Sequence, residues 1–353
     1  MSDLLYHKQI APEELEALGQ WFAERLPGEG PPRISALAQT AGNSHAIYSV
    51  IRDPDHRWVL RVAPDHGEAK VGNAYNLSRE WSVLKALADT VVPHAAPVLH
   101  QDGTAPIDRD FLLVEFVDGI VLEGAVPEQY SSPDDCLALS DAIVDTLADI
   151  ARTDWRNTGF AEFGHPEGYL ERQFDKGRQM LDSFRTRDTP ALAAMIDSLE
   201  RQRPATSTLG IVHGDYSPMN LMAAPHGPPR IAAVLDWETA TLGDVMIDIG
   251  YLTARWVRPE ECAAVAAFAL GGSNPADHEN LPPRTRLAQR YADRTGLSIE
   301  NLPYYQGFAM ARVAIALEGR VAAFTRRGDD ASAALFASLV DTAVDYGARL
   351  MNS

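Results

Sequence analysis

The segment that decides the fold is "IVHGDYSPMN", residues 211–220. It places His213, Asp215 and Asn220 within eight positions, with a glycine and a proline between them. Glycine and proline interrupt regular strands, so the apolar start of the segment is expected to end in a loop. The sequence therefore predicts a strand followed by a loop that groups three polar side chains. Taken singly, each of them is also a common turn or loop residue.

A second polar segment lies just downstream in "VLDWETATLGDVMIDIGYL", residues 234–252. The apolar residues before Asp236 predict a short strand that delivers this carboxylate at its end. Carboxylate and amide oxygens suit a hard cation, and Mg²⁺ needs few protein ligands when it also binds a substrate phosphate. One asparagine and one aspartate, Asn220 and Asp236, would suffice. Asp244 is expected either to cap the following helix or to have a functional role.

Length and composition bound the class of protein. The 353 residues are enough for two lobes, and 46% hydrophobic with 23% charged residues is typical of a globular protein. A net charge of −18 opposes nucleic-acid binding, and neither a leader pattern nor a membrane-length apolar run is recognised. Neither a nucleic acid nor a membrane is therefore expected as a partner. Cys136 and Cys262 lack metal-ligand spacing and indicate free thiols, which makes the cytoplasm the expected location.

The pattern of elements changes along the chain. The runs "YSVIR", "RWVLRV" and "RDFLLVEF" are typical of strands, and leucine and tryptophan at helical spacing over 77–87 predict a helix before the third run. Further on, helical patterns dominate. We expect an α+β protein with a small antiparallel N-terminal lobe, residues 1–116, and a larger, mostly helical lobe, residues 117–353. The predicted helices of the larger lobe are Pro133–Thr153, Gly168–Phe184, Thr189–Arg203, Pro303–Arg327 and Ala331–Met351.

Three motifs in a fixed order carry a resemblance to a known family. They are H-G-D-x-x-x-x-N at 213–220, L-D-W-E at 235–238 and G-D-x-x-x-D at 243–248. In this order they resemble the aminoglycoside phosphotransferase and choline kinase-like family, a branch of the protein-kinase-like fold. "GYLERQ" at 168–173 and "YYQGFAMARVAIALEGR" at 304–320 resemble the subgroup associated with acyl-CoA dehydrogenases. The resemblance implies a two-lobed kinase-like fold.

The resemblance also implies roles for individual residues. Asp215 resembles the catalytic base, Asn220 and Asp236 the Mg²⁺ ligands, and ATP or GTP would be the co-substrate. The residues that would contact the nucleotide are Gly42, Asn43 and Ser44 in the phosphate loop, Arg61, its partner Glu80, and Glu115 and Val117 at the hinge. Arg61 stands where kinases generally have lysine. Arg61 and Glu80 are otherwise expected to be a plain surface pair.

Three functions remain open on this basis. The first is transfer of a γ-phosphoryl group to a hydroxyl of a small-molecule acceptor. The second is the same chemistry on an aminoglycoside antibiotic. The third is a nucleotide-binding pseudokinase without turnover, which has no need for Asp215, Asn220 and Asp236 together. His213 is expected to have a structural role in all three.

The charge of the acceptor is predicted from the composition of residues 255–330. This segment contains ten arginines and nine acidic residues, although the whole chain has a net charge of −18. Arg286, Arg290 and Arg294 recur at helical spacing and would form one stripe. The stripe is expected to be either a solvated charged face or a contact surface for an anion. We expect a hydroxyacyl-CoA or another anionic hydroxy compound rather than an aminoglycoside.

Overall fold

The computed structural model describes residues 10–37, 45–64, 77–164, 167–268 and 279–353. The chain forms two compact units. The first comprises Met1–Gly119 and Ala232–Ala240, and the second Ile120–Ile231 and Thr241–Ser353. The predicted boundary between residues 116 and 117 stays a prediction. It did not include Ala232–Ala240 in the first unit. No described helix is long and apolar enough to cross a membrane.

The first unit is built on an antiparallel sheet of five strands in the order β1-β2-β3-β5-β4. The strands are β1 (Arg33–Ala36), β2 (Ala46–Asp53), β3 (His56–Val62), β4 (Pro97–Asp102) and β5 (Asp110–Glu115). The three predicted runs are β2, β3 and β5, and β2 and β3 form an antiparallel hairpin. The sequence did not reveal β1 or β4. All four residues of β1 are at least partly exposed, and β4 contains proline and three polar residues, so neither has a strong apolar alternation.

Two helices pack on this sheet, α1 (Pro12–Arg25) and α2 (Leu77–Leu87). Leu18 and Phe22 of α1 are fully buried in the core of the unit. The ring of Phe22 meets Phe111 of β5 edge to face, with ring centroids 6.1 Å apart. This arrangement suits the aromatic quadrupoles and fixes α1 against the sheet.

The segment Ala232–Ala240 is tied to the first unit by hydrogen bonds. The N–H of Val234 donates to the Pro93 carbonyl at 2.8 Å, and the Arg79 guanidinium donates to the Ala240 carbonyl at 2.6 Å. Trp237 is fully buried, and its indole N–H donates to the Val234 carbonyl at 2.9 Å. The strand β9 (Ile231–Val234) is thus the path by which the chain returns to the first unit.

The second unit is mostly helical, as predicted. Its helices are α3 (Pro133–Arg152), α4 (Tyr169–Ser183), α5 (Pro190–Arg201), α6 (Met246–Arg255), α7 (Pro259–Phe268), α8 (Arg284–Thr295), α9 (Leu302–Arg327) and α10 (Asp330–Met351). Two short antiparallel pairings complete it. Strand β7 (Leu209–Val212) pairs with β10 (Thr241–Asp244), and β6 (Ile120–Val121) pairs with β8 (Leu221–Ala223).

The helices α6 and α9 approach closely at a glycine. A Cβ atom at Gly250 of α6 would lie 2.5 Å from the Cβ of Tyr305 on α9 and 2.8 Å from its backbone carbon. Real Cβ atoms do not come so close to other atoms. The backbone carbon of Tyr305 cannot move aside as the end of a flexible side chain could. Glycine at this position therefore sets the separation of α6 from α9.

We predict that Gly250→Ala lowers the free energy of unfolding by about 1–3 kcal/mol, because the added methyl group must push two packed helices apart. Gly319→Ala on α9 is the control, since its Cβ would meet only Phe184 at an ordinary 3.6 Å. The control variant is expected to be unchanged or more stable by up to about 1 kcal/mol, because alanine favours helix. Urea unfolding of both variants measures the difference, and equal stability would contradict the packing argument.

Candidate active site

The loop after β7 is held by a buried carboxylate. Asp248 on α6 is 1% exposed and accepts the backbone N–H of His213 at 2.7 Å and that of Gly214 at 2.9 Å. Gly214 has φ +87°, in the region that favours glycine. These two hydrogen bonds fix the backbone immediately before Asp215. The last residue of the G-D-x-x-x-D motif therefore shapes the first motif.

The residues on both sides of Asp215 are also anchored. The N–H of Asp215 donates to Nδ1 of His213 at 3.2 Å, and this bond makes Nδ1 the acceptor nitrogen of the buried imidazole. The hydroxyl of buried Tyr216 donates to the Ile143 carbonyl on α3 at 2.7 Å. His213 thus supports the loop, in agreement with the structural role expected for it.

Asn220 holds the carboxylate of Asp215. Its Nδ2 donates to Oδ2 of Asp215 at 3.0 Å and to the Asp215 carbonyl at 2.9 Å. The carboxylate itself is 36% exposed, so a substrate group can reach it. The predicted grouping of His213, Asp215 and Asn220 is confirmed. Because the amide nitrogen faces Asp215, Oδ1 is the atom of Asn220 that is left to bind a cation.

Asp244 is an anchor for α6. It is 1% exposed, its Oδ1 accepts the N–H of Met246 at 3.1 Å, and its Oδ2 accepts the hydroxyl of Tyr305 at 2.5 Å. Burial raises its pKa, while the hydrogen bonds from Tyr305 and the backbone oppose that rise. Of the two expectations for this residue, the capping role is the one that its contacts support.

A second cluster forms in the first unit around Arg61 of β3. Its guanidinium forms a salt bridge with Glu80 of α2, and its Nη2 lies 3.1 Å from Oδ1 of Asp236. The side chains of Arg61 and Glu80 are only 14% and 4% exposed. The predicted pair is therefore formed, and the alternative of a plain surface pair is wrong. His45 adds a contact from its Nδ1 to Nη2 of Arg61 at 3.3 Å, which the sequence did not reveal.

The electrostatics of this cluster are those of buried opposite charges. Burial raises the pKa of Glu80 to about 7, although the positive charge of Arg61 opposes the rise. Burial works against the charge of Arg61, but Glu80 and Asp236 hold its pKa above the ordinary value. Nε of Arg61 and Oε2 of Glu80 are buried without a hydrogen-bond partner among the described residues. Unpaired buried polar atoms of this kind are unfavourable, so this cluster is not organised for stability alone.

Asp236 has an unusual backbone. Its φ of 63° and ψ of 59° are left-handed, and in the part of the chain that the structure describes no other non-glycine residue has a positive φ. Aspartate tolerates this conformation better than most residues, at a cost of about 1–2 kcal/mol. Buried Trp237 follows directly and helps to hold the strained residue in place. Strain of this kind is often found where a side chain must point at a ligand.

The remaining predicted nucleotide contacts are placed only in part. Gly42, Asn43 and Ser44 lie outside the described residues. Glu115 is the last residue of β5, opposite Trp58, and its N–H donates to the Ala96 carbonyl at 2.8 Å. Val117 follows it and is half-buried. Their assignment to a hinge stays a prediction.

The arginine stripe on α8 is paired within the second unit. Arg286, Arg290 and Arg294 form ion pairs with three aspartates on α3. The closest oxygen–nitrogen distances are 3.0 Å for Asp141, 2.7 Å for Asp145 and 3.2 Å for Asp149. Both sets recur every four residues, so one helix neutralises the other. The stripe therefore no longer supports an anionic acceptor.

Sequence reasoning missed three side chains beside Asp215. Nη1 of Arg255 lies 3.7 Å from Oδ1 of Asp215, and the same Nη1 donates to the hydroxyl of Tyr251. Nη2 of Arg312 donates to the Gly214 carbonyl at 3.0 Å. Helical spacing could have revealed Tyr251 and Arg255, because they follow Asp248 at i+3 and i+7 on one face of α6. No local signal indicates Arg312, which lies 98 residues from Gly214.

The metal prediction concerns Mg²⁺, which needs few ligands from the protein. Among the described residues there is no group of three or more histidine, cysteine, aspartate or glutamate side chains that could hold a metal ion. Mg²⁺ does not require such a group, since it keeps waters and shares substrate phosphates. The assignment of Asn220 and Asp236 as its ligands stays a prediction.

The fold is the protein-kinase-like fold that the resemblance implied, and comparison with known proteins gives the family. Residues 36–287 match the model of the phosphotransferase enzyme family. This match covers more than half of the chain, which therefore belongs to that family. The α+β fold with an antiparallel sheet and a larger helical part is the one predicted.

Individual relatives show how the match is distributed. Acyl-CoA dehydrogenase family member 10 of Mus musculus is 27% identical over 310 residues, which are 86% of this chain and 28% of the mouse protein. The chain thus spans little more than a quarter of that relative. A Ralstonia eutropha protein provisionally described as an aminoglycoside phosphotransferase is 28% identical, with a TM-score of 0.76 over 95% of this chain and 98% of its own. The GDP complex of wild-type aminoglycoside 2'-phosphotransferase-IIIa has a TM-score of 0.60 at 14% identity, over 96% and 99% of the two chains, and shows the fold alone.

We predict that Asp248→Asn lowers the free energy of unfolding by about 1–3 kcal/mol, because one amide oxygen replaces two acceptor oxygens and leaves a buried N–H unpaired. Asp197→Asn is the control, since the Asp197 side chain is 56% exposed in its pair with Arg178. Weakening this exposed pair is expected to lower the free energy of unfolding by less than about 1 kcal/mol. Denaturant unfolding compares the two variants. A similar loss in both would mean that Asp248 does not hold the loop.

Proposed function

We propose that this protein transfers the γ-phosphoryl group of a Mg²⁺-bound nucleotide, ATP or GTP, to a hydroxyl of a small molecule. The observation that carries the proposal is the Asp215 loop. Buried Asp248 fixes the backbone on one side of Asp215, and Asn220 holds one of its carboxylate oxygens. A half-buried carboxylate held in this way suits a general base.

In the proposed reaction Asp215 accepts the proton of the acceptor hydroxyl. The acceptor oxygen forms a bond to the γ-phosphorus, the bond from that phosphorus to the bridging oxygen breaks, and the nucleoside diphosphate leaves. Bound Mg²⁺ supplies neutralisation of the phosphate charge. Asn220 orients Asp215 through Nδ2, and Asn220 and Asp236 are the proposed metal ligands.

Arg61 is the proposed phosphate contact in the first unit. Glu80 and Asp236 restrain its guanidinium, and its buried Nε has no hydrogen-bond partner among the described residues. A guanidinium can engage phosphate through two parallel N–H groups, where lysine offers a point charge. The exchange of lysine for arginine therefore changes how phosphate is held without removing the charge. Gly42, Asn43 and Ser44 remain the proposed phosphate loop, and Glu115 and Val117 the proposed hinge.

The acceptor that we propose is a hydroxyacyl-CoA or another anionic hydroxy compound. Support comes from the similarity to acyl-CoA dehydrogenase family member 10, whose name indicates acyl-CoA chemistry. An aminoglycoside is the second candidate, because the Ralstonia protein is described in those terms. A nucleotide-binding pseudokinase is the third, and the exposed, oriented carboxylate of Asp215 argues against it.

We predict that Asp215→Asn lowers kcat by about a hundredfold or more, the scale of a lost general base. The substitution keeps the size of the side chain, so nucleotide affinity is expected to stay unchanged. A coupled assay of nucleoside diphosphate release with a panel of hydroxy compounds measures turnover, and calorimetry measures nucleotide binding. Undiminished turnover in the variant would remove the base assignment. Nucleotide binding by the wild-type protein without turnover on any acceptor would favour the pseudokinase.

We predict that Asp236→Asn abolishes the strengthening of nucleotide binding by Mg²⁺, because a neutral amide replaces a proposed metal ligand. Asparagine also tolerates the left-handed backbone, so the local conformation is expected to be kept. Calorimetry with Mg²⁺ and with a chelator gives the Mg²⁺ dependence of the nucleotide Kd for each protein. Asp118→Asn is the control, since Asp118 forms only an exposed pair with Arg57. The same Mg²⁺ effect in all three proteins would contradict the ligand assignment.

A further inference from the structure

Two arginines converge on the Asp215 loop from different helices of the second unit. Nη1 of Arg255, the last residue of α6, lies 3.7 Å from Oδ1 of Asp215. Arg312 on α9 donates from Nη2 to the Gly214 carbonyl at 3.0 Å. The oxygen of Asp215 that Arg255 faces is not the one that Asn220 holds. Positive charge therefore lies beside the carboxylate oxygen that Asn220 does not bind, and beside the loop that carries it.

Tyr251 fixes the position of both guanidinium groups. The central carbon of Arg255 lies 4.8 Å from the centre of the tyrosine ring, and that of Arg312 lies 5.9 Å from it. These are cation–π distances. Nη1 of Arg255 also donates to the tyrosine hydroxyl. Burial raises the pKa of Tyr251, with Arg255 opposing and Asp215 adding to the rise, so the ring stays a neutral support.

Arg255 has hydrogen-bonding capacity that the described residues do not use. Its side chain is 12% exposed, and its Nε is buried without a hydrogen-bond partner among those residues. Nη1 is engaged by Tyr251, whereas Nε has no hydrogen-bond partner among the described residues. An unpaired donor on a buried charged group is unfavourable, and a ligand that paired with it would remove that cost. Positioning Asp215 does not account for this arginine, because Asn220 already does so.

We propose that Arg255, supported by Arg312, is the specificity-determining residue that binds a carboxyl group of the acceptor beside its reacting hydroxyl. Two parallel N–H groups on one guanidinium edge match the two oxygens of a planar carboxyl group. The inference rests on the proposed phosphotransferase function and adds the recognition element. It restores support for an acidic acceptor from residues other than the paired stripe on α8. It also disfavours polycationic acceptors, which these two guanidinium groups would repel.

The experiment compares wild-type protein with Arg255→Gln, Arg255→Lys and Arg312→Gln. Arg286→Gln is the control, because it removes the same charge from an exposed ion pair outside the site. The probes are hydroxybutyrates with a free carboxylate, the corresponding hydroxybutyryl-CoA thioesters, and butanediols that lack the carboxyl group. Kanamycin is the cationic probe. Calorimetry without nucleotide measures binding, and steady-state kinetics measures KM and kcat separately.

We expect Arg255→Gln to weaken binding of the carboxyl-bearing probes and to raise their KM by about tenfold to a hundredfold, with nucleotide KM unchanged. Arg255→Lys should recover part of the loss, Arg312→Gln should lose less, and the control should match wild type. Dependence on Arg255 for the free acids and not for the thioesters, which have no carboxyl group at this position, supports the proposal.

Three results would overturn the proposal. They are wild-type protein that binds no carboxyl-bearing probe, equal binding by wild type and Arg255→Gln, and a fall in kcat alone. The last would make Arg255 a residue that only positions Asp215. Binding that depends on Arg255 without phosphorylation of any probe would instead support the subsite and count against the proposed phosphotransferase reaction. The failure of either idea is therefore distinguishable from the failure of the other.

Discussion

The arrangement of the second unit depends on one carboxylate that accepts two backbone N–H groups. Asp248 is buried, and burial raises its pKa, with the charges and hydrogen bonds of its neighbours opposing that rise. It joins the loop after β7 to the helix α6 that carries Tyr251 and Arg255. The same contact therefore places the proposed base and the proposed recognition residue on elements that are locked together. Loop and helix could not be repositioned independently without leaving buried polar groups unsatisfied.

In the first unit, a network of charged side chains, rather than a carboxylate bound to backbone N–H groups, joins separate elements. Arg61 and Glu80 are both nearly buried, and either one alone would be an uncompensated charge. Their pairing comes from β3 and α2, and Asp236 joins them from a segment 175 residues further along the chain. Burial without full hydrogen bonding is a poor way to gain stability. It is a good way to keep charged groups rigid and ready for a ligand.

The sequence predicted features that depend on local pattern, and it missed those that depend on distant partners. His213, Asp215 and Asn220 are close in the chain, so their grouping follows from a strand and a turn. The Arg61–Glu80 pair came from the family resemblance. The stripe on α8 was recognised as a stripe, but its neutralisation by α3 spans 145 residues and has no local signal. The approach of Arg312 to Gly214 was missed for the same reason.

The first unit is not a continuous piece of chain, because Ala232–Ala240 returns to it between the two halves of the second unit. During synthesis, the residues of the sheet, α1 and α2 are made first. The first unit still lacks Trp237 and Asp236, the partner of Arg61, at that stage. The ribosome must therefore deliver residue 240 before the first unit is complete. A gene fusion that carried only the N-terminal part would leave that unit unfinished.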